Sequence, residues 1–301
     1  MGKHRKILAI LTLFVVVILL AAWYLHGHTI AVLQPAGPIG EKERNLMIFA
    51  VSISAIVVIP VFTILGLFAW RYRESNPRGR YDPKLEGSGK LEAVWWLTPA
   101  IIITIIGVVT WRSSYALDPF KPLSANTEHI QVVALDWKWL FIYPEQHVAS
   151  VNVAYVPVGT PVEFDLTSDT VMTSFWVPQL GGQMYAMPGM VTKLNLEAAK
   201  PGSYHGLAAN ISGDGFADQT FTAVAVEPQF YAKSINAMQV DANKLTEASY
   251  STLAKPGVMP APGIRYYGTV DPNLYDTILM RYMVPINGGD SVDTVNAGVG
   301  L

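Results

Sequence analysis

Residues 93–111 read AVWWLTPAIIITIIGVVTW and residues 129–143 read HIQVVALDWKWLFIY; the change of pattern between them decides the fold. The first stretch is apolar and uncharged, and close to the roughly 20 residues a helix needs to cross ~30 Å of hydrocarbon. The second alternates Ile130, Val132 and Ala134 on one face, the period of a strand with one buried side. A membrane-spanning helix thus hands over to an extracytoplasmic β-rich region.

Upstream, residues 7–25 and 46–70 are further apolar runs without charge. A backbone in lipid must satisfy its own hydrogen bonds, so both are expected as helices. Pro60 should kink the second, and Pro99 should fall in the early turns of the third. The first run follows Lys3, Arg5 and Lys6 and exceeds the usual signal-peptide core, so residues 1–26 read as a retained signal anchor in preference to a cleaved signal peptide. Basic residues cluster before run one and, as Arg71, Arg73, Arg78, Arg80, Lys84 and Lys90, between runs two and three. Both places are therefore cytoplasmic. The transmembrane hairpin is assigned to 27–112, with helices at about 46–70 and 93–111 and a cytoplasmic loop at 71–92. Residues 113–301 emerge on the outer face.

Charge supports this division. Residues 1–112 hold 12 Lys/Arg and 6 Asp/Glu, whereas residues 113–301 hold 9 Lys/Arg and 17 Asp/Glu. The formal net charge of −2 conceals a basic membrane part and an acidic polar part. The acidic part argues against a nucleic-acid partner, which would be repelled. The absence of cysteine excludes disulfides, thiolate zinc sites, iron–sulfur clusters and thiolate-bridged copper.

Short alternating segments continue after residue 143. Val151, Val153 and Tyr155 alternate, as do Val162, Phe164 and Leu166, then Leu194 and Leu196, then Phe221, Ala223 and Ala225. Turn formers part them, among them Gly181-Gly182 and Pro201-Gly202. Strands at this spacing predict a β-sandwich over 113–228. Past Pro228 no further strand is expected, and 229–301 reads as a helical extension. Helices are expected at 229–253 and 273–283, with a frayed Gly-rich end from 284.

Candidate chemistry is sparse. His26 and His28 have no helix-face spacing for a metal, and His205 stands alone beside Gly206. Met184, Met187 and Met190 are spaced as soft ligands could be, but read more simply as packing. The aromatic run at Trp137, Trp139 and Tyr143 reads as a strand with one packed face and one face for a partner or for electron entrance. Glu92 opens the third apolar helix on its cytoplasmic side. There it suits the helix dipole, or collects protons at a channel mouth in a partner.

Two or three helices followed by an outer sandwich resemble subunit II of the haem–copper terminal oxidases. The resemblance is carried by Lys90-Leu91-Glu92-Ala93-Val94-Trp95-Trp96, by the aromatic segment 136–146, and above all by Ser174-Phe175-Trp176-Val177-Pro178-Gln179-Leu180-Gly181-Gly182 running on to Met190. The aromatic segment is most like the bo-type quinol-oxidase branch. This implies a cupredoxin-like Greek-key sandwich. In the cytochrome c branch it holds two coppers on two Cys, two His, a Met and a Glu carbonyl. By the same resemblance Ala208 and Ser212 stand at the Cys positions, Thr173 and Phe216 at the His positions, Gln219 at the Met and Asn210 at the Glu. The dicopper site is thus expected to be lost.

The implied function is that of an inner-membrane subunit of a proton-pumping ubiquinol:dioxygen oxidoreductase, with no catalytic residue, metal or cofactor of its own. Haem and copper are expected in a large catalytic partner, alongside further oxidase subunits and membrane lipid. Ubiquinol is used by the complex and not bound mainly here. Glu92 matches the family's glutamate at a proton-channel mouth. The residues alone leave open a copper-free subunit II of a cytochrome c oxidase and a stand-alone tethered sandwich.

Overall fold

A computed structural model describes residues 30–73, 76, 88–259 and 263–283, with isolated positions 16, 19, 20 and 23. The expectations for residues 1–26 as a whole, for most of the cytoplasmic loop and for 284–301 lie outside the described residues. Helix α1 spans Pro38–Arg71 and α2 spans Gly89–Ala116, both longer than the apolar runs that revealed them. Each exceeds the hydrocarbon thickness, because polar turns at the ends continue the helix beyond the bilayer. α1 is helical through Pro60, and Pro99 lies well inside α2, because α2 starts before its apolar run does.

Ten strands follow. They are β1 Glu128–Leu135, β2 Lys138–Tyr143, β3 Val148–Val151, β4 Val153–Pro157, β5 Val162–Ser168, β6 Thr173–Trp176, β7 Gln183–Ala186, β8 Thr192–Leu196, β9 Gly202–Ala208 and β10 Thr220–Val226. One sheet has the order β3-β2-β1-β5-β8, the other β4-β10-β9-β6-β7. β1 runs parallel to β5 and β4 parallel to β10, and the remaining pairs among these ten strands are antiparallel. The two sheets close over an aromatic core. Phe175 and Phe221 stack with centroids 4.7 Å apart, and Trp139 meets their edges at 5.2 and 5.7 Å. Gly206 pairs with Phe221 across the ladder, and a β carbon there would sit 2.1 Å from the Phe221 ring, so only glycine fits.

The extension begins with α3 Pro228–Gln239 and continues through α4 Glu247–Leu253 to α5 Leu274–Met280. Its helical character is as expected, but strands do not stop at residue 228. β11 Lys244–Leu245 pairs with β13 Thr269–Val270, and β12 Arg265–Tyr267 adds an edge to the first sheet beside β3. These strands are two or three residues long, too short to print a period on the sequence. The extension covers the outer face of the first sheet. Val133, Leu135, Leu140 and Ile142 are buried beneath Leu245, Tyr250, Tyr275 and Ile278. Tail tyrosines anchor it by their hydroxyls. Tyr250 donates to Asp169 at 2.5 Å, Tyr275 to the Asp165 carbonyl at 3.0 Å and Tyr282 to the Asp169 carbonyl at 2.8 Å.

The outer end of α1 is sewn to the sandwich. Ala36 N–H donates to the Gln179 carbonyl at 2.7 Å and Gly40 N–H to the Leu180 carbonyl at 3.0 Å. Ala199 N–H donates in return to the Ala36 carbonyl at 2.8 Å. A β carbon at Gly37 would meet the Glu197 carbonyl at 2.1 Å, which explains glycine before the helix. Below this seam both helices present apolar side chains outward, such as Ile59, Phe62, Trp96 and Ile103.

Candidate functional site

The six positions read as former metal ligands gather at one end of the sandwich. Thr173 begins β6, Ala208 ends β9, and the loop 209–219 carries Asn210, Ser212, Phe216 and Gln219. Their polar atoms are occupied by internal hydrogen bonds. Asn210 Oδ1 accepts from Ser174 N–H at 2.6 Å while its Nδ2 donates to the Met172 carbonyl at 3.1 Å. Gln219, buried to 1% exposure, donates from Nε2 to the Leu135 carbonyl at 3.1 Å and accepts from Trp139 Nε1 at its own carbonyl at 3.3 Å. Thr173 Oγ1 donates to the Val171 carbonyl at 3.2 Å, and Ser212 Oγ lies 3.5 Å from Gln219 Oε1. Phe216 starts a short 3₁₀ turn and accepts the Gln219 N–H at 3.1 Å. Hydroxyls and amides already engaged this way do not fit a dicopper centre, which requires thiolate and imidazole donors.

Trp137 sits in the two-residue turn between β1 and β2 with φ of +61°, a costly backbone state for a residue with a side chain. Its ring lies on the ligand loop, where a β carbon at Gly215 would come within 2.3 Å of it. Gly213 and Gly215 thus make room for the indole, whose Nε1 is buried with no hydrogen-bond partner among the described residues.

The reading of Trp137, Trp139 and Tyr143 as an aromatic interface is corrected in two places. Trp139 and Tyr143 are fully buried, inside the sandwich core. The opposite face of β2 is covered too, by the chain's own extension, so the strand has no face left for a partner. Only Trp137 of the three keeps exposed surface. His205 is exposed on β9, Met184 packs on the core and Met190 is exposed.

Glu92 lies in the first turn of α2, exposed. With about 1.5 Å rise per residue, the helix places it on the order of 35 Å from Ala116 at the outer end. The carboxylate therefore stands on the far side of the bilayer from the sandwich.

One cluster has no signature in the sequence. His129, Glu163 and Asp165 bring donor atoms within 4.8 Å of one another on β1 and β5. Alternation on two strands places them on one face, but only the β1–β5 register aligns them. Lys193 from β8 is hydrogen-bonded to Glu163 and lies 3.7 Å from Asp165. Burial pushes the Asp165 carboxyl up, partly offset by Lys193. The bond to Glu163 pulls the Lys193 ammonium up. With an ammonium already between its carboxylates, the group acts as an ion-pair cluster that ties β8 to the sheet.

Residues 103–228 match the family model described as the periplasmic domain of cytochrome c oxidase subunit II, and residues 21–112 match its transmembrane domain. Residues 239–285 match the COX aromatic rich motif, which is the stretch whose tyrosines anchor the extension. Ubiquinol oxidase subunit 2 of Acetobacter aceti is 43% identical over 266 residues, covering 87% of this chain and 86% of that one. Cytochrome bo(3) ubiquinol oxidase subunit 2 of Pseudomonas aeruginosa is 43% identical over 263 residues, covering 87% and 79%. Among solved structures, the periplasmic domain of subunit II of cytochrome oxidase of Bradyrhizobium japonicum aligns at 23% identity over 38% of this chain and 94% of that one, with a TM-score of 0.36.

Proposed function

Taking as premise that the chain belongs to the oxidase subunit II family and is subunit II of a quinol oxidase, we propose that its sandwich is a copper-free cap on the catalytic core, with Glu92 at a proton-channel mouth. The sandwich lies on the outer face of the inner membrane, and the chain works as part of an oxidoreductase complex. The observation that carries the reading is the ligand loop. A soft donor is missing at every position that would need one, and Asn210 and Gln219 hold backbone groups instead. A domain built this way has no centre through which to relay electrons from a soluble donor. Electrons then enter from ubiquinol bound mainly in the large partner, where haem and copper supply dioxygen reduction.

What this chain contributes is position. α1 and α2 offer apolar faces to a partner and to lipid, and the seam at Ala36, Gly40 and Ala199 fixes the sandwich to α1. Glu92 is placed on the cytoplasmic side, from which pumped and consumed protons must come. Small residues such as Gly66, Ala69, Ser52 and Ser54 along α1 suit close helix contact.

The test is steady-state turnover of the assembled oxidase. It should oxidise ubiquinol rapidly and reduced cytochrome c negligibly, and Glu92→Ala should slow quinol turnover severalfold without loss of assembly. Rapid cytochrome c oxidation would overturn the copper-free cap. Wild-type quinol turnover in Glu92→Ala would remove the channel role.

A further inference from the structure

Between the outer halves of α1 and α2 runs a groove of about 400 Å³, walled by Leu46, Phe49 and Ala50 of α1 and by Ile106, Val109 and Ser113 of α2. The two helices do not pack closely on each other along their length, so the groove is a gap between them at membrane depth. Ser54, also on the wall, donates its hydroxyl to the Ala50 carbonyl at 2.9 Å and so asks for no polar partner. Ala50 and Ser54 are exposed, and side chains this small let another helix backbone come close. The groove therefore suits an apolar helix.

The chain's own apolar run at 7–25 is within reach of it. Val16, Leu19, Leu20 and Trp23 of that run are described, and all four are helical and exposed. Their spacing of i, i+3, i+4 and i+7 makes one helix face, turned outward. At about 100° per residue, Phe14, Ile18, Ala21 and Leu25 share the opposite face. The path of the chain brings this helix beside α1. Residues 26–29 link it to Ile30, and Leu25 to Ile30 is at most about 18 Å. From there a 3₁₀ turn, Ala31–Leu33, leads to Ala36, which is bonded to the sandwich at the head of α1. Lys3, Arg5 and Lys6 keep the start of the run in the cytoplasm, so it rises through the bilayer antiparallel to α1, and antiparallel helices on a short link are neighbours. Depth matches as well. Leu25 and Leu46 mark the outer ends of their apolar runs, and Ala21 and Ala50 each stand four residues, about 6 Å, below them.

We propose that residues 7–25 are retained and seated as a third membrane helix in the groove between α1 and α2, with Ala21 against Ala50 and the face of Val16, Leu19, Leu20 and Trp23 left outward. Alanine on alanine at one depth gives the close approach that a gap lined by small side chains allows. The third helix braces α1 against α2 on the outer side, where the sandwich is sewn to α1. This seat is separate from the copper-free reading and from the role of Glu92, and either holds without the other.

The chain has no cysteine, so a pair introduced into it has only itself to bond with inside the chain. The full chain carrying Ala21→Cys with Ala50→Cys, assembled in its own membrane and oxidised there, tests the seat, with disulfide-linked peptides counted by mass spectrometry. Leu20→Cys with Ala50→Cys is the control. The 21–50 pair should link about tenfold more than the 20–50 pair, because adjacent residues on a helix point about 100° apart. If either variant fails to assemble, Leu25→Cys with Ser113→Cys at the outer rim carries the same expectation. The intact mass of the purified wild-type chain should include residues 7–25. A mature chain that begins after residue 26, equal linking of the 21–50 and 20–50 pairs, or no linking because lipid or a partner's helix fills the groove would each overturn the proposal.

Discussion

Asn210 shows how a single side chain holds the loop 209–219 in place. Its side chain accepts from Ser174 N–H and donates to the Met172 carbonyl, pinning the loop to the start of β6. Asn210→Ala should lower stability by about 1–3 kcal/mol, since it strands a buried backbone donor as well as losing two bonds. The urea midpoint of the full chain in detergent measures this, and an unchanged midpoint would mean the loop is not held there. That the loop 209–219 holds no Cys, His or Met is legible in the sequence, because residue types alone decide it. The new use of Asn210 and Gln219 was not, because their partners lie 36 and 84 residues away and only the folded sheets bring them together. Asp165 carries a pH dependence. Its carboxyl is raised by burial, so the folded state favours the neutral form, and ionisation destabilises it as pH rises from the unfolded carboxylate range through the raised value. Asp165→Asn should therefore gain stability over the wild type at pH 7 and lose that gain below about pH 4, the ordinary Asp range. Paired denaturation curves at the two pH values check the sign.

Among the elements, the extension is the least legible in the sequence. Its helices announced themselves, yet β11, β12 and β13 did not, being shorter than any period. β2 is ambiguous in sequence for a related reason. A strand buried on both faces looks like a strand with a spare face until its cover is known, and here Leu140 and Ile142 are covered by residues about a hundred positions on or more, among them Leu245, Tyr250 and Ile278. The apolar helices were legible because bilayer thickness sets their length, and their polar ends were missed because nothing apolar marks them. The extension should act as a clamp. Tyr250 is fully buried against the sheet and bonded to Asp169, so Tyr250→Ala should cost about 3–5 kcal/mol, while Tyr250→Phe, losing only the hydroxyl, should cost about 1–2 kcal/mol. Hydrogen exchange of β2 amides reads the difference. Protection that survives Tyr250→Ala would show that the extension does not cover the sheet energetically.

As a whole molecule the chain is two membrane helices, a double-sheet sandwich and a clamp, joined by a hydrogen-bonded seam at the outer end of α1. Charge follows that plan, with basic residues toward the cytoplasm and acidic ones in the outer part. The function we propose at this scale is one of placement: a copper-free domain over a catalytic partner, with the Glu92 carboxylate across the bilayer from it. The proposed function requires a sandwich without a redox centre. Electron paramagnetic resonance of the assembled, partly reduced oxidase, purified from copper-replete cells, reads it directly. No mixed-valence dicopper signal is expected; such a signal, abolished by substitution in the loop 209–219, would mean that the sandwich holds copper and relays electrons.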